Sequence, residues 1–416
     1  MHHLPPRRVP RILPSFLLLL VAATIARAED FAPLRRFMES SVEEGRVIGC
    51  AAQVTQDGRT IFLEAFGDVD TDGSRPLEVD DVVRIYSMTK AITTTAAMML
   101  MEDGRLGLDD PVSKYIPEFA EVRVASWPEG VEPTTDTMEL VPPDRPVTVR
   151  DLILHTSGLG YSFTVAGPLK AAYTSHWRGH DNLEAAAAHL ATLPLARQPG
   201  TGFTYGLGTD VLGRVVEVAS GQPFEVFLEE RLFTPLGMVD TGFTPAAPGR
   251  TMMIASRGPR DGTLVPHRAG IPGNNNEQGD RLPLGGQGLY STLADYTRFC
   301  RMILREGRLD GTRYLRPRTV RFMAQNHLGP DITAPGMRFG MGFALERPVR
   351  TSRGPRGEGR LAWSGAASTF FFIDLEQDVT AVYVTQLMPW DGRLGGEFSA
   401  AVLESLALME PVRTPR

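Results

Sequence analysis

Ser87 and Lys90 stand three residues apart in Tyr86-Ser87-Met88-Thr89-Lys90, at the head of an Ala- and Met-rich stretch reaching Glu102. On a helix this spacing places both side chains on one face. A serine hydroxyl becomes a useful nucleophile only when a neighbour takes its proton. A lysine in a first helical turn opposes the helix dipole by about 0.3–1 kcal/mol, and burial adds a desolvation cost. Both effects favour the neutral amine, which accepts a proton from serine. The same dipole favours the Ser87 alkoxide. The chain has three lysines, Lys90, Lys114 and Lys170, against forty arginines, which singles out a lysine at this place. The plainer reading makes Ser87 a helix cap and Lys90 a side chain reaching out to water.

Stepping outward from that pair, the stretch from Met88 to Met101 carries hardly any charge after Lys90, so its helix is predicted to be buried nearly all round. Phe31 to Glu44 has Leu34, Phe37, Met38 and Val42 at helical spacing. Val47 to Thr55 and Thr60 to Phe66 read as strands around the turn Asp57-Gly58, a two-residue hairpin signal. At the other end, Arg360 to Leu375 and Val379 to Gln386 read as strands joined by Glu376-Gln377-Asp378, and Glu397 to Met409 reads as a closing helix.

Both termini therefore supply strands and a covering helix, which predicts an α/β (α+β) fold: one antiparallel sheet from residues 29–86 and 300–416 flanked by helices. A mostly helical insertion fills 87–299, with helices expected at Leu183 to Leu193, Thr209 to Ala219 and Phe224 to Leu232. The Gly- and Asn-rich stretch from Arg257 to Leu284 has loop composition and is expected to wall a substrate cleft.

Other chemistries find little support. The eight histidines include no H-E-x-x-H and no cluster at ligand spacing, so no metal or other cofactor is expected. Cys50 and Cys300 match no redox or metal spacing and read as two buried free thiols. A net charge of −6 without a block of like charges offers nothing to nucleic acid. Gly206-x-Gly208 followed by Gly213 has the wrong spacing for a dinucleotide loop, and no G-x-S-x-G elbow is present.

Further segments accompany the S-x-x-K. They are Leu152-Ile153-Leu154-His155-Thr156-Ser157-Gly158-Leu159, Phe203-Thr204-Tyr205 leading into Asp210-Val211-Leu212-Gly213, Gly285-Gly286-Gln287-Gly288-Leu289 with Ser291-Thr292, and Trp363-Ser364-Gly365-Ala366. In this order, and across most of the chain, they resemble the serine β-lactamase and penicillin-binding superfamily, specifically class C β-lactamases and family VIII carboxylesterases. The resemblance implies a β-lactamase/transpeptidase-like fold. It makes Ser87 the nucleophile of an acyl-enzyme, with Lys90 and Tyr205 handling its protons; either is eligible as the first base. It places an oxyanion hole on the backbone N–H groups of Ser87 and Ala366, each donor worth about 2.7–4 kcal/mol in the transition state. His155 falls in a family turn and is not expected to be catalytic.

Two departures bear on substrate. Leu207 stands where the family has the asparagine of Y-x-N, and Trp363-Ser364-Gly365 stands where β-lactamases have K-T-G. The cation that would meet a β-lactam carboxylate is thus missing, and family VIII esterases resemble this chain there. Leu207, Trp363, Ser364 and Gly365 are therefore expected to contact an uncharged small-molecule ester or amide. The competing functions are a class C-type β-lactamase, a D-aminopeptidase or D,D-carboxypeptidase, and a non-catalytic protein binding cell-wall fragments or lipid.

The N-terminus has Arg7, Arg8 and Arg11, an apolar run from Phe16 to Ala23, and Ala26-Arg27-Ala28. These are the parts of a secretory signal, predicted to be cleaved after Ala28 and to send the protein to the periplasm or beyond. The run falls short of the ~20 residues that span a bilayer, so no stable membrane span is expected after cleavage.

Overall fold

A computed structural model describes residues 31–174, 179–267, 282–330, 332, 336–346 and 359–409. The expected signal segment, 1–28, lies outside them. Asp57 and Gly58 both take positive φ, 49° and 79°, and close the hairpin between β1 (Gly49–Gln56) and β2 (Arg59–Gly67). Four more strands come from the C-terminal part: β3 (Ala344–Glu346), β4 (Arg360–Ser364), β5 (Phe370–Asp374) and β6 (Val379–Val384). The sheet order is β3-β4-β5-β6-β1-β2, antiparallel throughout, and β1 joins the two termini through pairs such as Ala52 with Tyr383.

Arg360 to Leu375 is not a single strand but a hairpin, because Gly365-Ala366-Ala367-Ser368 has no bulky alternating side chains to hold it flat. The Gly365 N–H donates to the Thr369 carbonyl at 2.9 Å, and Ser368 takes φ 64°. This turn delivers Trp363 to Ala366 to the site.

Alternating side chains give the sheet two apolar faces. On one, Cys50, Phe372 and Tyr383 pack against Leu34 and Met38 of α1 (Ala32–Glu43) and Phe398 and Val402 of α5 (Gly392–Met409). On the other, Phe371, Ile373 and Val382 face Tyr296, Phe299 and Ile303 of α4 (Leu293–Leu304), with the Tyr296 and Phe371 ring centres 5.0 Å apart. Helix α4 belongs with the sheet, so a boundary at 299/300 cuts through it. Cys50 and Cys300 are both free and buried, on opposite faces of the sheet.

The helical part is built around α2 (Thr89–Glu102), in which every residue from Thr89 to Leu100 is buried, and α3 (Gly208–Ser220) packed beside it. The expected helix from Phe224 to Leu232 is α-helical over Phe224–Leu228 and continues as a wider π turn over Glu229–Phe233. No helix among the described residues is long and apolar enough to cross a membrane.

Candidate active site

The nucleophile candidate sits where the two parts of the fold meet. Ser87 lies in a tight turn, Tyr86–Met88, immediately before α2. Tyr86 is forced to φ 44°, a conformation that costs a non-glycine residue about 1–3 kcal/mol and persists only where its surroundings hold it. What holds it is the end of β4: a Cβ on Gly365 would lie 2.5 Å from the Ile85 carbonyl oxygen, so only glycine allows this approach.

Lys90 is 2% exposed and spends its donors on three oxygens. Its Nζ is 3.3 Å from Ser87 Oγ, 3.0 Å from the Tyr161 hydroxyl and 2.7 Å from the Gly286 carbonyl. It also lies over the Tyr205 ring, 4.8 Å from its centre. Ser87, Lys90 and Tyr205 are thus brought together, with Tyr205 presenting its face to the Lys90 nitrogen and Tyr161 presenting its oxygen. Sequence reasoning missed Tyr161. Its signal was position: it follows the His155–Gly160 turn directly, and the Phe163 ring stacks on it at 5.1 Å. Burial, then the nearby Asp210 and Tyr205, hold the Tyr161 phenol well above its ordinary pKa. Tyr161 accepts from Lys90 as the neutral phenol.

His155 takes φ 56° just past the short helix Val149–Ile153 and is buried. Its Nδ1 accepts from the Gly206 N–H at 3.5 Å, and its ring meets Tyr205 edge-on at 4.8 Å. Burial, reinforced by the Lys90 charge, keeps its pKa well below the ordinary value, so the imidazole is a neutral brace for Tyr205. The turn itself is held by Asp151, which accepts from Thr148, Thr156 and Arg145.

Ser87 and Tyr205 open into a cavity of about 660 Å³, which Trp363, Ser364, Gly365 and Ala366 also line. The Ala366 N–H makes no backbone hydrogen bond among the described residues, leaving it available to an oxyanion. Leu207 does not contact this space as its place in the motif implied. It is fully buried at the start of α3 and lines no part of this cavity, because the chain turns into the helix there and packs the leucine against the core. The described residues of the 257–284 stretch do not line it either, and positions 268–281 lie outside the described residues. What closes the outer cavity instead is apolar: Phe163 and Trp390 stand exposed at its lip, and Met337 and Met388 add to its wall. No charged side chain lines it among the described residues, and these contain no group of three His, Cys, Asp or Glu able to hold a metal ion.

A family profile described as Beta-lactamase matches residues 34–404. The chain belongs to the β-lactamase family. Two curated relatives within reach of this β-lactamase-family chain are the lovastatin esterase of Penicillium rubens and esterase EstB of Burkholderia gladioli. The first is 31% identical, over 86% of this chain and 93% of the relative. The second is 32% identical, over 88% and 92%. Among solved structures, EstCE1, titled a hydrolase with promiscuous acyltransferase activity, superposes with a TM-score of 0.74 at 25% identity, covering 92% of this chain and 99% of that one. The fold is the β-lactamase/transpeptidase-like fold expected from the motifs, and the protein is a serine hydrolase.

Proposed function

We propose that the protein hydrolyses bulky, uncharged carboxylic esters through a Ser87 acyl-enzyme, in the manner of family VIII carboxylesterases. The observation that carries this reading is the cavity of about 660 Å³ in front of the Ser87–Lys90 pair, lined by no charged side chain among the described residues, with Trp363 where a β-lactam carboxylate would need a cation. The ring of Trp363 lies 5.4 Å from that of Tyr205, so the wall beside the proton-handling groups is aromatic.

In the proposed cycle, Ser87 Oγ loses its proton to the Lys90–Tyr205 pair and attacks the ester carbonyl. The backbone N–H groups of Ser87 and Ala366 receive the oxyanion. The C–O bond to the alcohol breaks, and the alcohol departs with the proton first taken from Ser87. Water, deprotonated by the same pair, then splits the acyl-serine bond. The relatives named as esterases support the ester as substrate, and the Arg-rich start, apolar run and Ala26-Arg27-Ala28 support action after export.

The size and apolar lining of the cavity favour a second reading, in which an alcohol replaces water as the acyl acceptor; a neighbour described as having promiscuous acyltransferase activity supports it. A side-by-side assay on p-nitrophenyl butyrate and a chromogenic cephalosporin, with Ser87→Ala as control, tests the main reading. Rapid ester turnover with little lactam opening, both abolished in the variant, is expected. Efficient lactam opening would replace the esterase reading with a β-lactamase one.

A further inference from the structure

We propose that Asp210 is a positioning residue for the Ser87–Lys90 pair, acting through Gly286 and supplying the buried negative charge that favours Lys90 as it takes up the Ser87 proton. The inference rests on the reading of Ser87 and Lys90 as the catalytic pair.

Gly286 is gripped at both ends. Its N–H donates to Asp210 Oδ1 at 2.9 Å, and its carbonyl accepts from Lys90 Nζ at 2.7 Å. A Cβ at Gly286 would fall 2.5 Å from Asp210 Oδ2, so the carboxylate is seated against the glycine α-carbon and no larger residue fits between them. Neighbouring groups fix the same loop to α2: the Thr93 hydroxyl donates to the Gly285 carbonyl at 2.6 Å, and the Leu289 N–H donates to the Thr89 hydroxyl at 3.3 Å. The loop is thus a rigid arm between α2 and α3. Moving Asp210 moves the carbonyl that aims Lys90 at Ser87.

The charge of Asp210 is what a purely structural role would not need. An asparagine oxygen would accept the Gly286 N–H equally well. The second carboxylate oxygen, Oδ2, is buried and accepts no hydrogen bond among the described residues, so half of the group's capacity is unspent. The small cavity that Asp210 lines is otherwise walled mainly by Leu183, Ala187, Leu190 and Leu284, with His180 at its edge, so the carboxylate sits in largely apolar surroundings. Meanwhile the three acceptors of Lys90 are all neutral, a hydroxyl, a phenol and a carbonyl. A buried carboxylate sharing one glycine with Lys90 stabilises the positive charge that forms when the amine accepts the Ser87 proton.

The titratable groups shown to face Asp210 are Lys90 from α2, Tyr161 from the turn after Val149–Ile153, and His180 ahead of the helix Leu183–Thr192. Burial pushes the Asp210 carboxyl up to about 6, against the opposing pull of Lys90 and the Gly286 N–H. His155 stays neutral and Tyr161 stays protonated there. Proton uptake by Asp210 removes the charge opposite Lys90, so Ser87 reactivity falls with it on the acid side.

The test is the rate at which a fluorophosphonate labels Ser87 between about pH 4.5 and 8, in the wild type and in Asp210→Asn. The wild type is expected to show an acid limb centred near pH 6. The variant is expected to label at least about tenfold more slowly at pH 8, without that limb. It should still reach one adduct per chain, and its KM for p-nitrophenyl butyrate should stay within about twofold of wild type. A variant with the wild-type rate and limb, or a wild type with no limb between about pH 5 and 7, overturns the inference. The wild-type profile decides even if the variant does not fold. Absence of any Ser87 adduct in the wild type instead defeats the Ser87 reading, which keeps the two failures distinct.

Discussion

Removing the Tyr161 hydroxyl separates orienting Lys90 from binding substrate. In Tyr161→Phe the ring remains, and with it the stack on Phe163 and the cavity wall, while the 3.0 Å bond from Lys90 Nζ is lost. Lys90 is buried, so water does not readily replace that acceptor. A hydrogen bond to a charged group is worth about 1.5–3 kcal/mol, and each ~1.4 kcal/mol in the barrier is tenfold in rate. The expected outcome is a kcat on p-nitrophenyl butyrate lowered by roughly 10- to 100-fold, with KM changed by less than about twofold. Steady-state rates at several pH values would measure it, with thermal melting to confirm that the variant is folded. An unchanged kcat would refute the claim that Tyr161 orients Lys90. A raised KM with kcat intact would make Tyr161 part of the binding wall alone.

Two further outcomes are expected. Gly365→Ala forces a methyl group to within 2.5 Å of the Ile85 carbonyl and parts β4 from the Ser87 turn, so kcat should fall by about 100-fold or more through a displaced oxyanion donor, read by the same ester assay. Asp151 governs acid stability: burial alone would raise its carboxyl, but Arg145, Thr148 and Thr156 together hold it below its ordinary value. A depressed folded-state value stabilises the fold above the unfolded pKa, near 3.9, and that contribution is lost as pH falls through the folded value. Asp151→Asn should therefore cost about 1–2 kcal/mol at neutral pH, the exposed Arg145 side being screened by water, and flatten the loss of stability in acid, as denaturant titrations at pH 7 and in acid would report.

Much of this was legible in the chain because the signals were local. Asp57-Gly58 dictates its hairpin through two positive φ angles, and the three-residue step from Ser87 to Lys90 dictates one shared face. What escaped depends on contacts distant in sequence. Tyr161 meets Lys90 across 71 positions, and Gly286 meets it across 196. No local pattern reports such pairings. Leu207 misled for a related reason: its alignment with a polar family position gave its place in the motif but not the direction of its side chain, which the start of α3 turns into the core. The Arg360 to Leu375 stretch reads as one strand only if Gly365 to Ser368 is ignored, and those small residues form the turn that builds the oxyanion side of the site.

Hydrolysis by the proposed route passes through a covalent intermediate on Ser87. The direct measurement is mass spectrometry of the acid-quenched wild type during turnover of a slow-leaving ester, followed by mapping of the modified peptide. One acyl group per chain is expected, on Ser87, disappearing as substrate is exhausted and never forming in Ser87→Ala. Ester turnover without any acyl adduct, or an adduct on another residue, would contradict it.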